Sequence, residues 1–124
     1  MSSVNIESEY KLIRSWNLTY YQKANIFYPS SIKQLRDIIK LLKKRKETFA
    51  IRTGECSYDS KSIPSNKNGV IVSLKKFNKI IKINKKKNIL SVESGAKISD
   101  IIYFLKRKNL TLYSVPGGEH ISIG

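Results

Sequence analysis

The sequence predicts an α+β fold, in which two helices pack on a small mixed β-sheet. Two observations predict it. Apolar residues recur at helical spacing in two separate segments, and several short apolar runs of β type lie between and after them. The chain has 124 residues, a length that suits one domain with a modest core. We expect the element order helix, strand, loop, three strands, helix, strand.

The first helix is predicted to begin at Ser31, just after Pro29. Ser31 and Gln34 have the spacing of a capping box, in which the serine hydroxyl accepts a backbone amide of the first turn. One face of the segment is apolar, with Ile32, Leu35, Ile38, Ile39 and Leu42 at helical spacing. The basic residues 43–46 suit the negative end of the helix dipole.

The remaining elements follow from apolar runs and turn residues. Strands are predicted at 48–52, 69–74, 79–84 and 88–93, the last two joined by a turn at the lysines 85–87. A second helix is predicted from its apolar face of Ile98, Ile101, Ile102 and Leu105, with Asn109 ending it. A final strand is predicted at 110–114.

We expect two regions along the chain. Residues 1–26 are predicted to form an irregular N-terminal arm, because their aromatic residues follow no clear period. These aromatic residues, Trp16 among them, are expected to pack onto the domain as part of its core and not to form a stacking surface. Residues 27–124 then form the domain itself.

The chain is strongly basic, with 24 Lys and Arg against 9 Asp and Glu, a net charge of +15. An anionic partner such as nucleic acid or a phosphate-rich ligand is one interpretation. The other is a composition bias toward Lys, Ile and Asn, which the spread of lysines over every segment favours. Aromatic residues do not alternate with arginines as they do in a nucleic-acid platform.

Several classes of protein are excluded or not indicated. The single cysteine, Cys56, excludes an internal disulfide framework and a cysteine-based zinc site. No basic-then-apolar leader and no apolar run long enough for a membrane span is present, so we expect a cytoplasmic protein. No catalytic set and no metal site is visible, and His120 is the lone histidine.

The stretch FAIRTGECSYDSKS, residues 49–62, contains the most informative loop. A strand ends at Arg52, and Gly54 and Ser57 follow. Glycine lets backbone amides approach a ligand closely, and phosphate needs little more than such amides and a hydroxyl. The loop is neither a P-loop nor the three-glycine dinucleotide fingerprint. On these residues alone, an ordinary turn and a phosphate-binding loop both stay open.

Four segments together resemble the N-terminal part of the FAD-binding domain of FAD-linked oxidases, the family of vanillyl-alcohol oxidase and p-cresol methylhydroxylase. They are YPSSIKQLRDIIKLLKK, IRTGECSY, GVIVSLKKFNKIIKINKKKNILSVESGAKISDIIYFLKRKNLTL and VPGGEHISIG. Their order and spacing carry the resemblance, which covers residues 27–124. Within this family, the sequence is similar to the branch of the decaprenylphosphoryl-ribose oxidases and to that of the aldonolactone or alditol oxidases. The resemblance implies the first subdomain of the FAD-binding domain.

The resemblance also implies a binding site for FAD made of two loops. The first loop would wrap the pyrophosphate and the second would lie along the flavin. The implied cofactor-binding residues are Arg52, Thr53, Gly54, Glu55, Cys56, Ser57 and Tyr58 in the first loop, and Pro116, Gly117, Gly118, His120, Ser122 and Gly124 in the second. Ser57 would donate its hydroxyl to a phosphate. The complete enzyme would oxidise an alcohol or a sugar-like CH–OH group by hydride transfer to the flavin.

Two departures from the family pattern bear on this site. Glu55 stands where the family has Gly, so its carboxylate would repel a pyrophosphate unless it turns outward or pairs with a lysine. A side chain there also restricts a positive φ. Cys56 stands where some members carry the histidine that bonds the flavin, so we expect non-covalent FAD.

The chain lacks the rest of the FAD-binding domain and a substrate domain, so we expect no turnover from these residues alone. The alternatives are a small basic α+β module that binds nucleic acid or another polyanion, and a remnant without a ligand, which Glu55 favours.

Overall fold

Four strands form a mixed sheet at the centre of the computed structural model, which describes residues 6–58 and 60–124. The strands are β1 (Ser8–Arg14), β2 (Tyr21–Phe27), β3 (Phe49–Arg52) and β4 (Val70–Ser73), in the spatial order β1-β2-β4-β3. β1 is antiparallel to β2, whereas β2 and β3 are both parallel to β4. The predicted mixed sheet is confirmed, and all four residues of β4 are buried because it lies inside the sheet.

Helix α1 (Ile32–Lys44) packs on one face of this sheet. Ile38 and Leu42 are fully buried against Val70 and Val72 of β4. The Ser31 hydroxyl accepts the Gln34 amide at 3.2 Å, as predicted. The Gln34 side chain completes the cap one residue earlier than predicted, because its Oε1 accepts the Ser30 amide at 2.7 Å.

A hairpin and a second helix form the other half of the molecule. β5 (Ile80–Asn84) and β6 (Ile89–Val92) pair antiparallel as a separate two-stranded sheet, and the lysine turn joins them. Helix α2 (Ile98–Lys106) packs Ile101 and Leu105 against the hairpin. Asn109 has φ 55°, and the following Leu110 amide donates to the Leu105 carbonyl at 3.0 Å, which ends the helix as predicted.

The prediction of an irregular arm is wrong for residues 8–27. This segment forms β1 and β2, and the expected boundary after residue 26 falls inside β2. Residues 1–5 of the expected arm lie outside the described residues. The strands escaped prediction because β1 buries only Ile13 and so shows no alternation of apolar and polar residues.

The predicted strand at 110–114 is also wrong. Leu110 and Leu112 are half-buried against the cluster of α2 and the hairpin, and this packing produces their alternation. Within residues 6–58 and 60–124, neither helix is long and apolar enough to cross a membrane.

Candidate functional site

The two loops implied by the sequence meet at Gly54 and Ser122. A Cβ atom on Gly54 would lie 2.6 Å from the Ser122 Oγ and 2.8 Å from its backbone nitrogen. Both distances are shorter than a side chain tolerates, so the loops pack this closely only because residue 54 is a glycine. Loop 52–58 leaves the sheet at the end of β3, where the Leu74 amide donates to the Arg52 carbonyl at 2.8 Å.

The C-terminal segment is held in place along the beginning of α2. The Ile98 amide donates to the Ile121 carbonyl at 3.0 Å, and the Ser99 amide donates to the Glu119 carbonyl at 2.8 Å. These bonds satisfy amides of the first helical turn, for which residue Lys97 provides no side-chain cap. These bonds to α2 therefore fix the position of Ser122, which lies in the chain between the bonded residue Ile121 and Gly124.

Gly124 is constrained by a second close approach. Its amide donates to the Ser94 carbonyl at 2.9 Å, and the neighbouring Ile123 amide donates to the Ala96 carbonyl at the same distance. A Cβ on Gly124 would lie 2.6 Å from the Ser94 Cβ. The last residues of the chain, Gly124 among them, thus pack closely against the residues that directly precede α2.

A cleft of about 430 Å³ opens where these loops meet. Its lining includes Arg52, Thr53, Gly54, Glu55, Cys56, Ser57, Ser122 and Gly124. No acceptor among the described residues takes a hydrogen bond from the amides of Gly54, Glu55, Cys56 and Ser57. The cleft is thus lined by residues whose amides have no acceptor among the described residues, and by the hydroxyl-bearing Ser57 and Thr53, a donor set that suits a phosphate group.

The backbone of Glu55 has a positive φ of 62°, a conformation that a side chain disfavours. Its side chain is half-exposed, and its Oε1 lies 3.8 Å from the Arg52 Nε. The carboxylate therefore pairs with an arginine of its own loop. This ion pair offsets part of the repulsion that a carboxylate would exert on an anionic ligand.

Arg52 is buried, with 6% of its side chain exposed. Its Nη2 donates to the Arg14 carbonyl at 2.5 Å, which joins the end of β3 to the end of β1. Its Nε and Nη1 have no hydrogen-bond partner among the described residues. Arg52 therefore combines a structural contact with unused donors beside the cleft.

A second, smaller cleft of about 290 Å³ lies against the same loop and carries lysines. Lys11, Lys75 and Lys97 line it together with Thr53, Gly54, Glu55 and Ser122. Asp100 adds a carboxylate to this lining. The lysines come from different elements, so only the fold brings them together. Lys11 forms an ion pair with Glu9 at 2.6 Å, so Lys75 and Lys97 are the cations that make the surroundings of the loop attractive to anions.

The structure does not place every implied residue in the larger cleft. Tyr58, Pro116, Gly117, Gly118 and His120 lie outside its lining. A Cβ on Gly117 would meet nothing within 4 Å. The exposed His120 ring stacks on Trp16, with ring centroids 5.2 Å apart.

Some residues that contribute to the site are not indicated by any pattern in the sequence. The Trp16 amide donates to the Ser57 carbonyl at 2.9 Å, so the turn between β1 and β2 supports loop 52–58. Ser62 and Ile121 also line the larger cleft. Trp16 was expected to pack in the core, yet it is 49% exposed. No local pattern identifies these residues, because the fold alone brings them to the loop.

Comparison with known families shows which family the chain belongs to. A family model described as "FAD binding domain" matches residues 24–124. The chain belongs to this family. The resemblance drawn from the sequence is thereby confirmed, and FAD is the cofactor of the domain. A module for nucleic acid is not favoured.

Relatives among curated proteins are L-gulonolactone oxidases. The protein of Scyliorhinus torazame is 22% identical over 111 residues, covering 89% of this chain and 24% of the relative. That of Mus musculus is 21% identical over 112 residues, covering 90% and 25%. The chain thus spans about a quarter of the length of these curated relatives.

Solved structures show the same fold. Cholesterol oxidase from Brevibacterium sterolicum has a TM-score of 0.85 at 16% identity, covering 97% of this chain and 23% of that protein. Alkyldihydroxyacetonephosphate synthase has a TM-score of 0.70 at 16% identity, covering 81% and 21%. The residues present fit FAD, since the close approach at Gly54 and the neighbouring amides, which have no acceptor among the described residues, are features that suit a phosphate group.

Proposed function

We propose that loop 52–58 and the segment 121–124 bind the pyrophosphate of FAD. One observation carries this proposal: Gly54 and Ser122 meet beside a cleft whose wall contains four amides without acceptors among the described residues. Backbone amides and hydroxyls stabilise phosphate oxygens through charge-assisted hydrogen bonds. The lysines of the neighbouring cleft add a favourable field.

FAD binds here without a covalent bond. Cys56 is half-buried, and its Sγ lies within hydrogen-bond distance of the Gly54 carbonyl, at 3.1 Å. This contact holds the thiol against its own loop. Non-covalent binding also agrees with the absence of a histidine at position 56.

The complete protein oxidises an alcohol or a sugar-like CH–OH group. Similarity to L-gulonolactone oxidases over a quarter of their length supports a substrate of this class. FAD, when bound, accepts the electrons that this oxidation releases. The residues of this chain bind and orient the cofactor. A cytoplasmic location stays a prediction from the sequence.

The first test is an absorption spectrum of the purified chain after it has been mixed with FAD and desalted. We expect a retained flavin spectrum, and we expect the yellow colour to enter the supernatant when the protein is precipitated with acid. Colour in the precipitate would instead mean a covalent bond and would make Cys56 its candidate.

Ser57→Ala tests the binding loop itself. The variant removes one hydroxyl donor to a phosphate, so we expect the dissociation constant for FAD to rise about tenfold, since hydrogen bonds to charged groups contribute about 1.5–3 kcal/mol. Ser65→Ala is the matched control, because Ser65 is an exposed serine outside the lining of the larger cleft. Equal affinities of the two variants would contradict the proposed loop, and no FAD binding by the wild type would contradict the function.

A further inference from the structure

The guanidinium of Arg52 is a buried cation with incomplete pairing. Only its Nη2 has a hydrogen-bond acceptor within the described part of the chain, the Arg14 carbonyl. Arginine carries five N–H donors and keeps its charge at any ordinary pH. A buried charge is costly unless it is both paired and hydrogen-bonded, so an anion is the group that completes this environment.

The anion that faces Arg52 within its own loop is the carboxylate of Glu55. The separation of 3.8 Å between Glu55 Oε1 and Arg52 Nε is too long for a hydrogen bond, and half of the Glu55 side chain is exposed. The pair is therefore weak and lies next to solvent. Glu55 also holds a backbone conformation that side chains disfavour, with φ 62°.

Both residues line the larger cleft, where four amides lack acceptors among the described residues. We propose that Arg52 is a specificity-determining residue for the pyrophosphate of FAD, and that Glu55 competes with this pyrophosphate for the Arg52 guanidinium. The inference rests on the proposed function. Because Nε and Nη1 each expose less than 1 Å², the Glu55 carboxylate first turns toward solvent and opens them, and hydrogen bonds to the pyrophosphate then replace the long ion pair.

Glu55→Gln is the decisive variant, because it removes the charge but keeps the length of the side chain and the backbone. We expect its dissociation constant for FAD to be about fivefold lower than that of the wild type, the upper range for a partly exposed ion pair. Glu47→Gln is the matched control. It changes the net charge equally at an exposed position outside the lining of the larger cleft, where Glu47 pairs with Arg45 at 3.9 Å, and its FAD affinity is expected to stay unchanged.

Arg52→Lys tests the other half of the pair. Lysine keeps the charge but lacks the Nε and Nη1 donors, so we expect weaker FAD binding and no gain when Glu55→Gln is added to it. Should this variant fail to fold, a thermal shift assay on Glu55→Gln provides an independent readout. Inorganic pyrophosphate is expected to raise the unfolding temperature more in Glu55→Gln than in Glu47→Gln, whereas adenosine stabilises both equally.

The outcomes separate this inference from the proposed function. Tighter FAD binding by Glu55→Gln than by Glu47→Gln supports the competition. Equal FAD affinity of both variants and the wild type overturns the competition and leaves FAD binding intact. Failure of the wild type and of Glu55→Gln to bind FAD or pyrophosphate overturns the inference and the function together.

Discussion

Gly54 is the residue on which the contact between the two loops depends. Its place opposite the Ser122 backbone leaves no room for a Cβ atom, and the nearest atoms belong to a segment fixed on α2. A substitution here must therefore move backbone rather than a flexible side chain. The cost resembles that of overpacking a core.

Gly54→Ala is expected to lower the free energy of unfolding by about 1–3 kcal/mol and to weaken FAD binding at least tenfold. The added methyl group separates the two loops, because the Ser122 nitrogen would lie 2.8 Å from it. Urea unfolding and titration with FAD measure the two effects.

Gly117→Ala is the control for stability, since nothing lies within 4 Å of its Cβ position. Its unfolding midpoint is expected to match the wild type or to rise slightly, because alanine reduces the entropy of the unfolded chain. A Gly54→Ala variant as stable as Gly117→Ala would contradict the close packing of the loops.

The hairpin of β1 and β2 carries a polar cluster that joins its strands. Glu9 accepts hydrogen bonds from Tyr28 and forms an ion pair with Lys11 at 2.6 Å. The hydrogen bonds from Lys11 and Tyr28 lower the pKa of Glu9 below its ordinary value of 4.5. The bond with Glu9 raises the pKa of Lys11, and burial raises that of Tyr28.

These pKa shifts make the stability of the hairpin depend on pH. The pKa of Glu9 is lower in the folded chain than in the unfolded chain, so its contribution is present above pH 4.5 and is lost as the pH falls through the folded value. The pKa of Lys11 is raised, so its contribution is present below pH 10.5 and is lost as the pH rises through the folded value.

Glu9→Gln is expected to flatten the loss of stability in acid. Glutamine carries no charge to protonate, so the unfolding free energy should change less with pH between about pH 3 and 6. Urea unfolding across this range measures the slope. Glu119→Gln, at an exposed loop position, should keep the slope of the wild type. An unchanged slope in Glu9→Gln would show that the cluster does not form in solution.

Elements with strong periodicity could be predicted, and those without it could not. Helix α1 was predicted because Ile38 and Leu42 lie on one apolar face, and the hairpin of β5 and β6 because a lysine turn separates two apolar runs. β1 shows no such pattern, and in β2 the alternation of buried residues is limited to Ala24 and Ile26. Their place in the sheet depends on pairing with each other and with β4, an interaction between distant segments.

At the scale of the whole molecule, the net charge of +15 has to be compared with the size of the proposed ligand. A pyrophosphate contacts the protein at one loop, whereas a nucleic acid would contact lysines over a wide surface. Affinity for a polyanion falls steeply with salt because many counterions are released on binding. The dependence on salt therefore distinguishes the two ligands.

We expect FAD affinity to fall less than tenfold between about 50 and 200 mM salt, against a loss on the order of 10³ for contact with six or more phosphates. Titrations at both salt concentrations measure this ratio. At the higher concentration, a single-stranded oligonucleotide should not displace FAD. If the oligonucleotide displaces FAD when the two are present at equal concentrations of phosphate groups, the result would favour the polyanion module over the proposed cofactor site.

The sequence by itself determined both helices, strands β3 to β6, the family and the residues of loop 52–58, because these depend on local periodicity and on motifs of fixed spacing. The tertiary structure alone decided that Gly54 meets Ser122, that Arg52 reaches Arg14 and that Trp16 supports Ser57. It also separated Gly117 from the larger cleft. Contacts between residues far apart in the chain follow from how the strands pair and the elements pack, and no local pattern encodes them.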